Sequence, residues 1–525
     1  MIKAEKELKG VTLKTIQAEK RSKAEIAMTR FWKRKDVMVV AAGSIPCIRE
    51  LYILAKEMGT LHQFRYVSLT NSDYILGSAE DMIREALRKA ALVPGVQVVV
   101  FYLSCLDILV RLDFHHLEEK LYKETGVLVK CFYRGPLGKE EKERLDVDNF
   151  MRTFPKETGT IDQLSSQLPP PVSDGAGISD WMRRHGWANV LVTPAGCRSC
   201  MSDCDMTEDQ KHVYYPTVVT RDFVFGMEDT TKKQTDALLK QTKLSGVSLI
   251  GTAVPSFIGM DGESVADSLC EKDYQAVYWE ADGFHDALFG VSQAELQQVR
   301  CKANWLLKEK KKVVQILGYS PLLAGPMTDL EEGLSFLHQL GYEVIFDGHQ
   351  AARNVPVLNW VVSTAGIAAA RWMQERLQTP SIISRPLGDH AWSTWKKQVQ
   401  ELLRDGKGER KLQIHRMDIP KKYEEHILFI GEPVQIMGVA HALWHEGYAQ
   451  IRLSSMAWSK ESEKLIRSAP GGDTFHILRN MSDLVKERDW ADVVYCDPWL
   501  FPFFDGKKTV SMPWGLISGR TGLSR

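Results

Sequence analysis

The chain has 525 residues, 44% of them hydrophobic and 26% charged, with 67 basic and 67 acidic side chains. That length exceeds one core and implies about three or four domains, and the balanced charge removes any general electrostatic case for nucleic acid or an anionic membrane. Nine cysteines, an odd number with no export signal, favour reduced thiols or metal ligands over a disulfide framework.

Residues 1–35 read as a basic, helical-looking arm interrupted by Glu5, Glu7, Glu19 and Glu25, with no apolar signal region after it. A cytoplasmic protein is therefore expected. A first α/β module is expected over 36–138. In it Tyr74-Ile75-Leu76-Gly77 precedes a helix whose apolar face is Met82, Ile83, Ala86, Leu87 and Ala90, with Ser78 as its expected cap. The strand Val98 to Cys105 follows. The longest apolar stretch, Val96 to Val110, contains Gln97, Ser104 and Asp107 and is too short and polar for a membrane span. Residues 139–180 are polar and pass through Pro169-Pro170-Pro171, a stiff linker.

A second module is expected over 181–310. After the apolar run Val190-Leu191-Val192, Cys197, Cys200 and Cys204 fall within eight residues on a Gly-containing turn, a spacing that favours iron–sulfur ligation. Zinc is the rival, with His212 or Asp205 as a fourth ligand. This module repeats the first. Phe223-Val224-Phe225-Gly226 answers Tyr74 to Gly77, and the pairs Glu80/Glu228, Cys105/Ala253, Asp113/Asp261 and Gly135/Gly283 all lie 148 residues apart. Upstream, Cys47 falls opposite Cys200. A third unit is expected over 311–403, from the strand Val313 to Gly318 through a helix Asp329 to Leu340. The polar stretch Arg404 to Arg410 separates a fourth, 411–525, with a strand from His426, a helix Val434 to His445 and a later strand Asp492 to Cys496. Alternating Val/Ile-rich and amphipathic runs define parallel-sheet α/β units. Cys131, Cys270 and Cys301 read as packing residues, and Cys496 as a weaker ligand candidate. No P-loop or Gly-x-Gly-x-x-Gly fingerprint occurs, so ATP or a dinucleotide is not expected to bind by those devices.

Together, Thr193 to Cys204, Phe223 to Glu228, Gly251 to Asp261 and Glu280-Ala281-Asp282-Gly283-Phe284 resemble the nitrogenase component 1 superfamily. Met512-Pro513-Trp514-Gly515 with Ser518-Gly519-Arg520 looks like that family's C-terminal loop. The family comprises nitrogenase alpha and beta subunits, cofactor-assembly scaffolds and nitrogenase-like reductases. The resemblance implies several Rossmann-like parallel-sheet domains around a central cleft, here with a duplicated N-terminal module. It implies an iron–sulfur cluster, four-iron or P-cluster-like, between two halves related by approximate twofold symmetry. Cys47, Cys105, Cys197, Cys200 and Cys204 are the expected ligands, although Ala253 stands where the family's strand-end cysteine would be. A further metal cofactor could occupy the cleft. Substrate would lie there at strand carboxyl ends, near His285, His349, Arg385 and His390, of which His285, Arg385 and His390 are the expected catalytic residues. Partners implied are an ATP-dependent iron–sulfur reductase and a homologous subunit or second copy, with no nucleic acid and no membrane. The alternative roles are a scaffold for assembling a metal cofactor and a zinc-stabilised protein without redox chemistry.

Overall fold

The computed structural model describes residues 14–15, 28–133, 147–162, 167–183, 186–193, 213–216, 220–242, 244, 246–301, 310–324, 327–346, 355–411, 423–456, 459–468, 475–512 and 515–519. Cys197, Cys200, Cys204, Asp205, His212 and His349 lie outside them, as do most of the arm and a smaller part of the linker. The chain divides into two compact units, residues 1–179 with 186–285, and residues 180–185 with 286–525.

Unit 1 contains two sheets. The first has strands β2 (Val37–Gly43), β3 (Phe64–Ser68), β4 (Val98–Leu103) and β5 (Leu128–Tyr133) in the order β3-β2-β4-β5, every pair parallel. The second has β1 (Lys14–Thr15), β6 (Ala188–Val192), β7 (Val213–Tyr215), β8 (Gly246–Gly251) and β9 (Gln275–Glu280) in the order β1-β7-β6-β8-β9. Only β1 runs antiparallel. Lys14 and Thr15 are thus extended, where the arm's composition implied helix. Strands β2, β4, β6 and β8 are buried along their whole length, as expected of parallel strands covered on both faces.

The repeat is physical. Helices α1 (Ile45–Glu57), α2 (Asn71–Leu76), α3 (Ala79–Ala91), α4 (Cys105–Leu109) and α5 (Phe114–Thr125) serve the first sheet. After α6 (Asp174–Arg183), the second has α7 (Thr220–Phe225), α8 (Glu228–Thr242), α9 (Ala253–Phe257) and α10 (Gly262–Cys270). Helices α4 and α9 begin and end 148 residues apart, and Asp113 and Asp261 each cap the next helix, accepting from His116 and Ser264 N–H. Gly77 and Gly226 end α2 and α7 with φ of 79° and 101°, a region other residues enter only at a cost. The sheet register refines one alignment. Met38 pairs with Val99 and Ala188 with Val247, so matching Val99 with Val247 sets Met38 against Ala188. Cys200, the expected counterpart of Cys47, lies outside the described residues.

Helix α3 buries Ile83, Leu87 and Ala90, each apolar side chain contributing roughly 1–3 kcal/mol, while Met82 is exposed. Ser78 does not cap it. Its backbone is already helical and its hydroxyl donates to Asp73 at 2.8 Å.

Unit 2 also contains two sheets. Strands β10 (Lys310–Leu317), β11 (Glu343–Ile345), β12 (Val355–Val361), β13 (Ser381–Ile383) and β14 (Glu409–Lys411) take the order β11-β10-β12-β13-β14. Strands β15 (Ile427–Ile430), β16 (Ile451–Ser455), β17 (Phe475–Ile477), β18 (Val493–Cys496) and β19 (Lys508–Ser511) take the order β17-β16-β15-β18-β19. All pairs are parallel, and both orders are doubly wound, with a switch point where successive connections diverge. Strand β14 overlaps the end of the polar stretch expected to separate the last two units. Helices α11 (Ala287–Cys301), α12 (Glu331–Gln339), α13 (Ile367–Leu377), α14 (Asp389–Asp405) and α15 (Pro433–Glu446) surround these sheets. One core is aromatic, with the Trp360 ring 6.1 Å from Trp392 and 4.6 Å from Trp395. Trp444 and Trp499 are likewise buried. Among the described residues no helix is long and apolar enough to cross a membrane.

Candidate metal centre

A doubly wound sheet opens a crevice at the carboxyl ends of the two strands flanking its switch point. In unit 1 these are β2 and β4 in one repeat and β6 and β8 in the other. The residues that leave all four, Ser44, Ser104, Thr193 and Thr252, line a single cavity with about 490 Å³ of empty space. Cys47, in the first turn of α1, and Cys105, the first residue of α4, line it too, with Asp174, Ala253 and Gly283. The repeats meet around it. Ile45 N–H donates to the Gly283 carbonyl at 2.7 Å, and Tyr74 packs on Phe257 and Phe284. Gly283 has φ of 74°, and a Cβ there would come within 3.2 Å of Ser44, so glycine permits the close approach.

Two buried polar networks fix this wall. Asp107 accepts from the N–H and hydroxyl of Ser104, each at 2.7 Å, and from Tyr74 Oη at 2.9 Å. Burial pushes its carboxyl up to about 6 against those hydrogen bonds, and burial, with Asp107 beside it, raises the Tyr74 phenol. On the other side Asp174 accepts from Gly175 and Gly283 N–H at 2.7 and 3.2 Å. Burial and the neighbouring Asp282 charge raise the Asp174 carboxyl. At Asp282 burial acts in the same direction, but hydrogen bonds, chiefly from His285 Nδ1 at 3.1 Å, outweigh it and hold the carboxyl low. His285 thus stands half-exposed beside two carboxyls rather than alone on a loop. Asp174 was hidden in sequence because it sits in the expected linker.

The other expected residues divide. Arg385 is buried, its guanidinium forming two parallel hydrogen bonds with Asp329, from Nε and from Nη2, the latter at 2.9 Å. It lines a cavity with about 790 Å³ of empty space in unit 2, with Phe429, Gln435 and Tyr495 beside the switch point of β15 and β18. His390 is not in that wall. It stands beside His441 and His445 of α15 instead. Burial, with Glu118 and Asp497 respectively, raises the thiols of Cys131 and Cys496, which disfavours the thiolate a metal needs. Cys270, expected in the core, is exposed at the end of α10, its thiol 3.6 Å from the Ala276 carbonyl. Among the described residues no cysteine forms a disulfide.

Glu432 caps α15, accepting from Gln435 and Thr364 N–H at 2.9 and 2.7 Å. Burial raises its carboxyl against those bonds and the nearby Arg385 charge. A raised folded-state value makes the bound proton stabilising, so the contribution is whole below the ordinary glutamate range and fades as pH rises through the raised one. Glu432→Gln, which cannot ionise, is expected to close on the wild-type urea midpoint as pH rises from acid to neutral; a constant difference would contradict this.

Repeated doubly wound modules with two thiols in the cavity between them define an α/β protein with a thiol-bearing site. Residues 181–447, about half of the chain, match the family described as Nitrogenase component 1 type Oxidoreductase, and the chain belongs to that family. Members of the family typically bind metal–sulfur clusters and work with a reductase partner. Among solved structures, one described as "Nitrogenase Cp1 at pH 5" is similar at 13% identity with a TM-score of 0.47, over 68% of this chain and 86% of that one. Another, "Nitrogenase Cp1 at pH 6.5", is similar at 11% identity with a TM-score of 0.49, over 71% of this chain and 93% of that one. No curated protein matches the sequence.

Proposed function

We propose that this chain is a nitrogenase-like component 1 protein of the cytoplasm that holds an iron–sulfur cluster, four-iron or P-cluster-like, between the repeats of unit 1. Low-potential electrons from a separate ATP-dependent iron–sulfur reductase pass through it to a substrate. The reading is carried by the meeting of Cys47 and Cys105 on one cavity lined by both repeats. A four-iron cluster takes about four ligands, usually thiolates. Two are these. Thr193 also lines the cavity, and Cys197 follows four residues later in the sequence. Cys200 and Cys204 complete the set. Thiols are the donors such a cluster takes, and when bound it would supply one-electron transfer. Near it, burial raises the Asp174 carboxyl and so favours a bound proton there, while Tyr74, Ser104 and Asp107 fix the first turn of α4.

One observation favours the scaffold as a second reading. Ala253, the counterpart of Cys105, puts no thiol at the matching position of the second repeat, as suits a cluster held for transfer. Anaerobic purification with iron and sulfide counts and an electron paramagnetic resonance spectrum tests the shared core of both readings. About four or more irons per chain are expected, whereas one zinc and no iron would overturn it. Catalytic electron consumption with a nitrogenase-type reductase and ATP then separates a reductase from a scaffold, which would release its cluster instead.

A further inference from the structure

We propose that His390, His441 and His445 form a three-imidazole site for a divalent transition-metal ion of the zinc, nickel or copper class, in unit 2 and built from residues none of which lines the thiol cavity. His441 and His445 are four residues apart on α15, hence on one face of the helix. His390 is the second residue of α14. Its position is set by the segment just before that helix. Gly438 lets the Arg385 carbonyl lie against α15, since a Cβ there would fall 1.9 Å from that oxygen, and a Cβ at Gly388 would touch Ala442 at 3.9 Å.

The three rings converge. Their centroids are 3.6 Å apart for His390 and His445, 5.3 Å for His441 and His445, and 5.8 Å for His390 and His441. One ring nitrogen of each lies within 4.8 Å of the other two. Nitrogen–zinc bonds of about 2.0–2.1 Å in tetrahedral geometry put ligand nitrogens about 3.3 Å apart, so modest side-chain rotation closes the site. Exposure is graded, with His441 fully buried, His445 intermediate and His390 exposed. An ion would enter past His390, and its fourth position would face water, the arrangement of three protein ligands plus one open site. An all-imidazole donor set suits zinc, copper or nickel and is poor for calcium or magnesium, which take oxygen ligands.

The test uses full-length protein freed of metal and titrated anaerobically with Co²⁺, read by visible absorption. Imidazole ligation gives d–d bands without the sulfur-to-cobalt charge-transfer absorption that thiolates add. One equivalent of such sulfur-free Co²⁺, displaced by Zn²⁺, is expected. Losing even an outer-shell partner typically costs about 10–100-fold in metal affinity, so His390→Ala and His445→Gln are expected to bind the sulfur-free Co²⁺ at least ~10-fold more weakly. His441→Ala empties a buried position and is confounded by folding, so His390→Ala, at an exposed ring, decides. Absence of sulfur-free Co²⁺, or equal affinity in His390→Ala and wild type, would overturn the site. The readout needs no iron, so it stands or falls apart from the cluster in unit 1.

Discussion

Cys105→Ser is expected to strip most of the iron from anaerobically purified protein while moving its thermal unfolding midpoint little. The thiol begins α4 on the cavity wall, and serine keeps nearly its volume. The bonds that shape that turn run through Ser104, Asp107 and Tyr74, and none uses the sulfur. A hydroxyl is a far poorer iron ligand than a thiolate, and outer-shell changes alone cost about 10–100-fold in metal affinity, so a first ligand should cost no less. Cys47→Ser is expected to behave alike. The repeat adds a sharper arm. Ala253 begins α9 as Cys105 begins α4 and lines the same cavity, so Ala253→Cys in the Cys105→Ser protein returns a thiol to the matching position and is expected to recover part of the iron. Full iron retention in both single variants, measured by metal analysis, would reject these ligands.

Much of that geometry was legible because duplication writes one set of spacings twice. The 148-residue offset forecast that Cys105 and Ala253 are equivalent, and both open a short helix after a fully buried strand. Periodicity forecast α3 and α15 for the ordinary reason that one apolar face must meet a sheet. What stayed hidden depended on pairs far apart in the chain. The His441 and His445 spacing was visible on a helix, but His390 joins them only because Gly438 lets another segment lie against it. Asp174 sat in a stretch that composition marked as linker, although Pro169-Pro170-Pro171 ends just before it. Ser78 shows local competition: its hydroxyl can serve the following helix or Asp73, and the left-handed Gly77 turn delivers it to Asp73.

Asp329→Asn is expected to destabilise the protein by about 3 kcal/mol, near the lower end of the cost of breaking a buried ion pair. The asymmetry of the pair sets the size. The Arg385 side chain is 4% exposed and that of Asp329 28%, so removing the carboxylate leaves an almost fully desolvated guanidinium beside Glu432, whose own charge is disfavoured by burial. Arg385→Met is expected to cost less, because the stranded Asp329 reaches water. Arg385→Lys keeps charge but loses the two-pronged bond and should fall between. Replacing both partners by apolar residues of similar volume is expected to recover most of the loss, because much of the expense lies in a buried charge that has lost its carboxylate rather than in the missing bond. Urea unfolding of the four variants reads the order directly. Were Arg385→Met the most damaging, Arg385 would be anchoring more than Asp329. Were none of them destabilising, the pair would not be serving the fold.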